Sequence, residues 1–298
     1  RTFLSGDLNN NNTADSGDSY TILMVENATS IIDGFIIQYS YADKVDNTPA
    51  TYQYTCGGGL FSSGTSNIFI RNCVFSNNEA VTTTTNGRGG AIFNQTGSLN
   101  ITNTLFYNNH ADLSGGAIYT ENSLAASVIN TTIVNNTATH GSGINVSANG
   151  GLQATNTIFS NNSGTNGNFR TSGGTANTAN YCLFYNTTTG NTSTVPTGIT
   201  GNTNITNQDP LFNNTSNLNG FRLQPDSPAL DAGNNNANNL PYDLANQPRI
   251  ADSNLDGTAT ISLGAYESFP YFTESNVNLP QVFQSSVAWG DYDNDGDL

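Results

Sequence analysis

Short apolar clusters alternate with runs of Asn, Gly, Ser and Thr along the whole chain. Thr21-Ile-Leu-Met-Val25, Ile31 to Ile37 and Asn67-Ile-Phe-Ile70 are examples. Their β-branched and aromatic content predicts short strands, and the Asn/Gly segments between them predict turns. No apolar period of 3.6 residues is sustained. Asn, Thr, Ser and Gly are weak helix formers, so helices are not expected.

The clusters repeat. Asn72-Cys-Val-Phe-Ser-Asn-Asn78 returns as Asn103-Thr-Leu-Phe-Tyr-Asn-Asn109, as Asn130-Thr-Thr-Ile-Val-Asn-Asn136 and as Asn156-Thr-Ile-Phe-Ser-Asn-Asn162. Tyr181-Cys-Leu-Phe-Tyr-Asn-Thr187 is a degraded copy. A second block, Gly58-Gly-Leu-Phe61, Gly89-Gly-Ala-Ile-Phe93, Gly115-Gly-Ala-Ile-Tyr119 and Gly141-Ser-Gly-Ile144, holds nearly the same phase. The series Asn78, Asn109, Asn136 and Asn162 steps by 31, 27 and 26 residues. That is shorter than a propeller blade of about 40–50 residues, and the leucine-rich pattern is missing. It fits one coil of an all-β, right-handed parallel β-helix, a solenoid with two or three short strands per coil.

Coils stacked about 4.8 Å apart line up equivalent residues in columns. Phe75, Phe106, Ile133, Phe159 and Phe184 form an apolar stack, and Ile70, Ile101, Val128, Ala154 and Ala179 form another. Val74, Leu105, Thr132, Ile158 and Leu183 are neighbours of the Phe column. Two adjacent strand positions cannot both face inward, so one of these columns is expected at a bend. Asn72, Asn103, Asn130 and Asn156 align, as do Asn77, Asn108, Asn135, Asn161 and Asn186. Stacked Asn amides are expected to hydrogen-bond as ladders.

Composition narrows the function classes. The 298 residues include 48 Asn, but only 10% are charged, with a net charge of −15. Lys44 is the single Lys, beside six Arg. Such a chain has no basic cluster for nucleic acid and is repelled by anionic lipid. It also has no apolar run long enough to be a transmembrane helix. The abrupt start at Arg1 and the stop at Leu298 read as the ends of an internal piece of a longer protein.

Gly89-Gly-Ala-Ile92 followed by Phe106-x-x-Asn109 resembles the repeats of bacterial polymorphic membrane proteins and related β-helix adhesins. The resemblance covers about residues 58–165. It implies a secreted, cell-surface β-helical adhesin or stalk that contacts glycans or a host or neighbouring cell surface. A further stretch is similar to the C-terminal end of secreted bacterial "choice-of-anchor" β-helix proteins. It comprises Asp209-Pro-Leu-Phe212, Phe221 to Gly233, Pro248-Arg-Ile250 and Gly264-Ala-Tyr-Glu267. Residues 1–268 thus read as the β-helix with its caps, with regular coils over about 58–190. The Pro-rich segment 205–268 is expected to cover the core and strand edges that a last coil exposes.

Two Asp-rich loops have calcium-loop spacing. Asp252-Ser-Asn-Leu-Asp-Gly-Thr258 offers oxygens of Asp252, Asn254 and Asp256 and the Thr258 carbonyl, with Gly257 permitting the turn. An Asx-rich turn is the competing reading. Asp7-Leu-Asn-Asn-Asn-Asn12 reads as a decayed copy. Asp291-Tyr-Asp-Asn-Asp-Gly-Asp297 places Asp291, Asp293, Asp295 and Asp297 at ligand spacing. With Ser286 to Gly290 it resembles the opening of an FG-GAP or VCBS-type repeat. That resemblance implies that residues 269–298 are a linker and the truncated start of a calcium-binding, propeller-type domain of the same longer chain.

The remaining chemistry is sparse. Cys73 and Cys182 share a column about 19 Å apart, beyond disulfide reach. Cys56 and Cys73 could be bridged, but all three Cys are expected to be buried thiols. His110 and His140 lie near turns. Glu79 and His110 are expected one column apart on adjacent coils with no paired acid. Lys44, Arg71, Arg88 and Arg170 are scattered, which does not suit an acidic polysaccharide. Residues 58–205 hold few acids, among them Glu79, Asp112 and Glu121. A non-catalytic adhesin is therefore the primary expectation. The alternatives are a polysaccharide-degrading β-helix lyase or hydrolase, and a passive spacer or a subunit of an extracellular assembly. A carboxylate cluster on one face would favour the enzyme. The insertion Asp43 to Thr55, carrying Tyr52 and Tyr54, is the expected contact loop.

Overall fold

The computed structural model describes residues 1–44, 49–82, 86–147, 150–165, 167–172, 177–185, 199–214, 218–237 and 239–268. One coil shows the plan. Ile92–Asn94, Gly97–Thr102, Leu105–Tyr107 and His110–Ser114 form four successive strands, each on a different face. The next coil, Ile118–Glu121, Ser123–Ile129, Thr132–Val134 and Thr137–His140, lies in parallel register beside it. Stacking builds sheets of six, seven, eight and four strands on the first to fourth faces. This is a parallel β-helix, the fold that the repeat length predicts, but with four strands in this coil where the sequence predicts two or three.

Inward positions form the expected columns. Leu60, Ile92, Ile118, Ile144 and Phe169 line the first face, and Ile70, Ile101, Val128, Ala154 and Ala179 the second. The third face carries Ile37, Phe75, Phe106, Ile133, Phe159 and Phe184, all buried. Phe75 stacks on Phe106 and Phe159 on Phe184, each pair with ring centroids 5.1 Å apart. Small Ala42, Ala80, Ala111 and Ala138 line the narrow fourth face.

The Asn-Asn pairs divide their work. Asn77, Asn108, Asn135 and Asn161 adopt positive φ at one corner, as do Asn72, Asn103, Asn130 and Asn156 at another. Asn tolerates the left-handed region better than other side chains do, because its amide bonds locally to the backbone. The interior ladder belongs to the second Asn of each pair. Asn78 Nδ2 donates to Asn109 Oδ1 at 3.0 Å, Asn109 to Asn136 at 2.9 Å and Asn136 to Asn162 at 2.9 Å. Backbone amides of Asn78, Asn109 and Asn136 donate to the same acceptors. The ladder expected at Asn77, Asn108, Asn135 and Asn161 therefore shifts by one residue, since those side chains turn outward. The Asn72 column bonds in part, as in Asn156 Nδ2 to Asn130 Oδ1 at 3.0 Å. Asn186 lies outside the described residues.

The column next to the Phe stack is not at a bend. Val74, Leu105, Ile158 and Leu183 point out of the third face, and residues from 212 to 266 bury them. Phe221, Leu244, Ala265 and Tyr266 cover the Ile36, Val74 and Leu105 end. Leu223, Ala229, Leu230 and Leu263 cover Ile158 and Leu183. Both columns are therefore buried, one inside the coil and one beneath a second layer. The buried contacts of this C-terminal segment run along the flank of the helix. Arg249, fully buried, ties the segment together with an ion pair to Glu267 at 3.3 Å and a bond to the Gly264 carbonyl at 3.0 Å.

Candidate functional site

The insertion after the first coil forms a 3-10 turn, Pro49–Tyr54, against the outside of the first face. There Phe61, Phe93 and Tyr119 stack in a column at 5.5 and 5.3 Å. Tyr52 meets Phe93 edge-on and is part of this packing. Tyr54 instead meets Tyr20 edge-on at 5.7 Å, with the Lys44 ammonium 4.4 Å from its ring centre. Tyr20, Tyr54, Met24, Thr21 and Gln53 line an open hollow of about 280 Å³. Met24 is 57% exposed there.

The outward column of the fourth face carries Tyr41, Glu79, His110 and Thr137 in direct register. Glu79 and His110 thus share one column. The expected lack of a paired acid is also corrected: Asp112 Oδ1 lies 3.0 Å from His110 Nε2. A β-irregularity between Ala111 and Ser114 accompanies this placement of Asp112. A carboxylate only accepts, so Nε2 donates to Asp112, while Nδ1 shares a hydrogen bond of 2.7 Å with the Thr137 hydroxyl, which can act as donor or acceptor. Asp112 Oδ2 accepts from the Thr82 amide at 2.8 Å. Burial pushes the Glu79 carboxyl above its usual range, with His110 pulling the other way. The result is one imidazole with Asp112 bonded to it and Glu79 beside it in register, a group able to exchange protons. His140 ends the same face opposite Ser114, its pKa held down by burial and by Arg170.

The Asp252 loop is exposed and closed by its own backbone. Asp252 Oδ1 and Oδ2 accept from the Asp256 and Gly257 amides, and Asp256 Oδ1 accepts from the Thr258 amide. Asn254 Oδ1 accepts from the Asp256 amide as well. Asp231 reaches in from the covering layer and accepts from the Asn254 amide at 2.8 Å. The N-terminal loop goes further than its first six residues. Asp7 accepts amides of Asn10 and Asn12, while Asp15 and Asp18, distant in the motif, bond Asn9 and Leu8. The spacing from Asp7 to Asp18 carries that extension. Among the described residues, no group of three or more His, Cys, Asp and Glu side chains is arranged to hold a metal ion. Asp291, Asp293, Asp295 and Asp297 lie outside the described residues.

Cys56, Cys73 and Cys182 are free and buried. Burial pushes the thiols of Cys56 and Cys73 up to about 11 and that of Cys182 to about 12. Arg88 pairs with Glu121 at 3.3 Å and lies over Tyr119. The Arg71 guanidinium lies 5.8 Å from the Phe69 ring centre.

Residues 72–95 and 103–121 match the Chlamydia polymorphic membrane protein repeat. Over 83 residues the chain is 41% identical to "Probable autotransporter YfaL" of Escherichia coli (strain K12). That stretch is 26% of this chain and 6% of the length of that relative. No solved structure matches the chain at a significant level.

Proposed function

From β-helical coils similar to a polymorphic membrane protein repeat and to part of an autotransporter, we propose that this chain is a non-catalytic adhesin or stalk. In this reading it is secreted or displayed on a bacterial cell surface and contacts glycans or another cell. The carrying observation is the hollow formed by Tyr20, Tyr54 and Met24 on a rigid scaffold. Aromatic faces with polar neighbours such as Gln53 and Thr21 suit the C–H faces and hydroxyls of a sugar. Beads coated with the 298-residue chain test this against bacterial and epithelial cells and against an array of neutral and charged glycans. Retention by at least one surface, lost in Tyr20→Ser/Tyr54→Ser, is the expected result. Wild-type beads that bind nothing would reduce the chain to a spacer.

The fourth face favours a second reading, a glycan-degrading enzyme with Glu79 and Asp112 as acid and base around His110. Turnover of a polysaccharide that disappears in Glu79→Gln would establish it over the adhesin.

Calcium belongs to the same proposal. Asp291, Asp293, Asp295 and Asp297 would hold it as the start of an FG-GAP or VCBS-type repeat. Asp252, Asn254, Asp256 and the Thr258 carbonyl would hold it in the covering layer. A melting midpoint that rises with millimolar calcium and falls with EDTA is the expected outcome. Asp252→Ala assigns the share of the second loop.

A further inference from the structure

A groove of about 900 Å³ lies between the first coils and the covering layer. Arg1 and Arg222 both line it, although they are far apart in the chain. Burial pushes the Tyr266 hydroxyl up, and Arg1 and Arg222 both act against that shift while Asp243 adds to it, so all three charges lie within electrostatic range of this ring. On a chain with seven basic residues and a net charge of −15, this convergence is selective. Arg88 and Arg249 are committed to ion pairs. Neither Arg1 nor Arg222 makes one among the described residues. Arg1 Nε donates to the Asn72 carbonyl at 3.3 Å, which directs the side chain along the groove.

Two acids also line the groove, and hydrogen bonds fix their orientation without cancelling their charge. Asp33 Oδ1 accepts from Asn72 Nδ2 at 2.9 Å. Asp243 is buried and accepts from the backbone amides of Ala245, Gln247 and Glu267 at 2.7 Å each. The groove presents two guanidinium forks beside two hydrogen-bonded carboxylates, with amide groups on its walls and the ring of Tyr242, which is 51% exposed. The Tyr242 backbone is pinned, because its carbonyl accepts from Asn103 Nδ2 at 2.6 Å. Planar forks fit carboxylates in two-bonded geometry. An exposed aromatic ring gives a platform for a sugar ring.

We infer that this groove binds an acidic saccharide, with Arg1 and Arg222 on the sugar carboxylate and Tyr242 under the ring. This deepens the surface-contact reading and rests on it, but at a site separate from the Tyr20–Tyr54 hollow. Overall negative charge opposes a long acidic polymer. At physiological salt it is screened beyond about 8 Å, so a short acidic segment feels mainly the charges of the groove itself, where Arg1 and Arg222 must outcompete Asp33 and Asp243.

Calorimetric titration of the 298-residue chain with trigalacturonate, its fully methyl-esterified counterpart and pentaglutamate tests the inference. Trigalacturonate is expected to bind one to one. The ester, which keeps the rings and removes the charge, is expected to bind at least roughly tenfold more weakly. Arg222→Ala, Arg1→Ala and Tyr242→Ala are each expected to lose a similar factor with unchanged melting, whereas Arg170→Ala retains wild-type affinity. If Arg222→Ala does not fold, Arg222→Gln and the ester comparison on the wild type carry the test. Equal affinity for acid and ester, wild-type affinity in the Arg variants, no binding, or equal binding of pentaglutamate would each overturn it. Cell retention of beads, measured in parallel, separates the two claims. Retention without trigalacturonate binding leaves the adhesin standing and removes this site.

Discussion

Asparagine does two different jobs at neighbouring positions. Asn135 holds a left-handed corner, where its cost is conformational. Asn136 sits in the interior and satisfies several partners at once. Its oxygen accepts from the Asn109 amide and side chain, and its Nδ2 donates to Asn162 and the Phe106 carbonyl. Asn136→Ala leaves the buried Asn109 amide without this acceptor and removes one bond each from Asn109 Nδ2, Asn162 Oδ1 and the Phe106 carbonyl. A stranded buried group costs about 1–3 kcal/mol, so a loss of more than about 1 kcal/mol is expected. Asn135→Gly keeps the corner and is expected to change stability by less than about 1 kcal/mol. Denaturant melts of both variants check this, and equal losses would refute the division. The thiols give a second test. With their pKa values pushed to about 11 or 12 by burial, Cys56, Cys73 and Cys182 are expected to resist a thiol reagent at pH 8 until the chain unfolds. Rapid labelling of the native protein would contradict their burial.

Among the elements, the covering layer changes the energetics most. A single coil cannot bury an outward Val74, Leu105, Ile158 or Leu183, and the layer from 212 to 266 does so. Arg249 locks this layer from inside. Its charge has no route to water, so its partner is essential: breaking a buried pair by removing one member costs about 3–5 kcal/mol. Arg249→Ala is expected to lower the melting midpoint and to raise hydrogen exchange first in residues 240–268. Uniform exchange along all coils would mean that the layer and the coils open as one unit. The Pro49–Tyr54 turn divides its aromatic residues, with Tyr52 on Phe93 and Tyr54 on the hollow. Tyr52 packs on the aromatic column and Tyr54 lines the hollow, so Tyr52→Ser is expected to destabilise more than Tyr54→Ser, whose larger effect is on binding.

For the whole molecule, stacking makes each coil depend on its neighbours, while 22 acidic residues against 7 basic ones push the rod apart. Raising ionic strength from about 0.01 to 0.15 M shortens the Debye length from roughly 30 to 8 Å. The melting midpoint is therefore expected to rise with sodium chloride, and a salt-independent midpoint would show that the repulsion is negligible. The repeat of 31, 27 and 26 residues carried the fold and the interior columns, because parallel stacking turns sequence periodicity directly into columns of contact. It also carried the amide ladder in kind, but not its register. Which Asn turns inward depends on the corner geometry that its neighbour adopts. The outer layer on the third face, the groove that Arg1 and Arg222 both line, and the placing of Asp112 against His110 carry no period. They arise where the 209–268 segment returns to the coils and where a strand irregularity redirects one side chain. Such contacts join positions that no local pattern relates, so folding in three dimensions alone creates them.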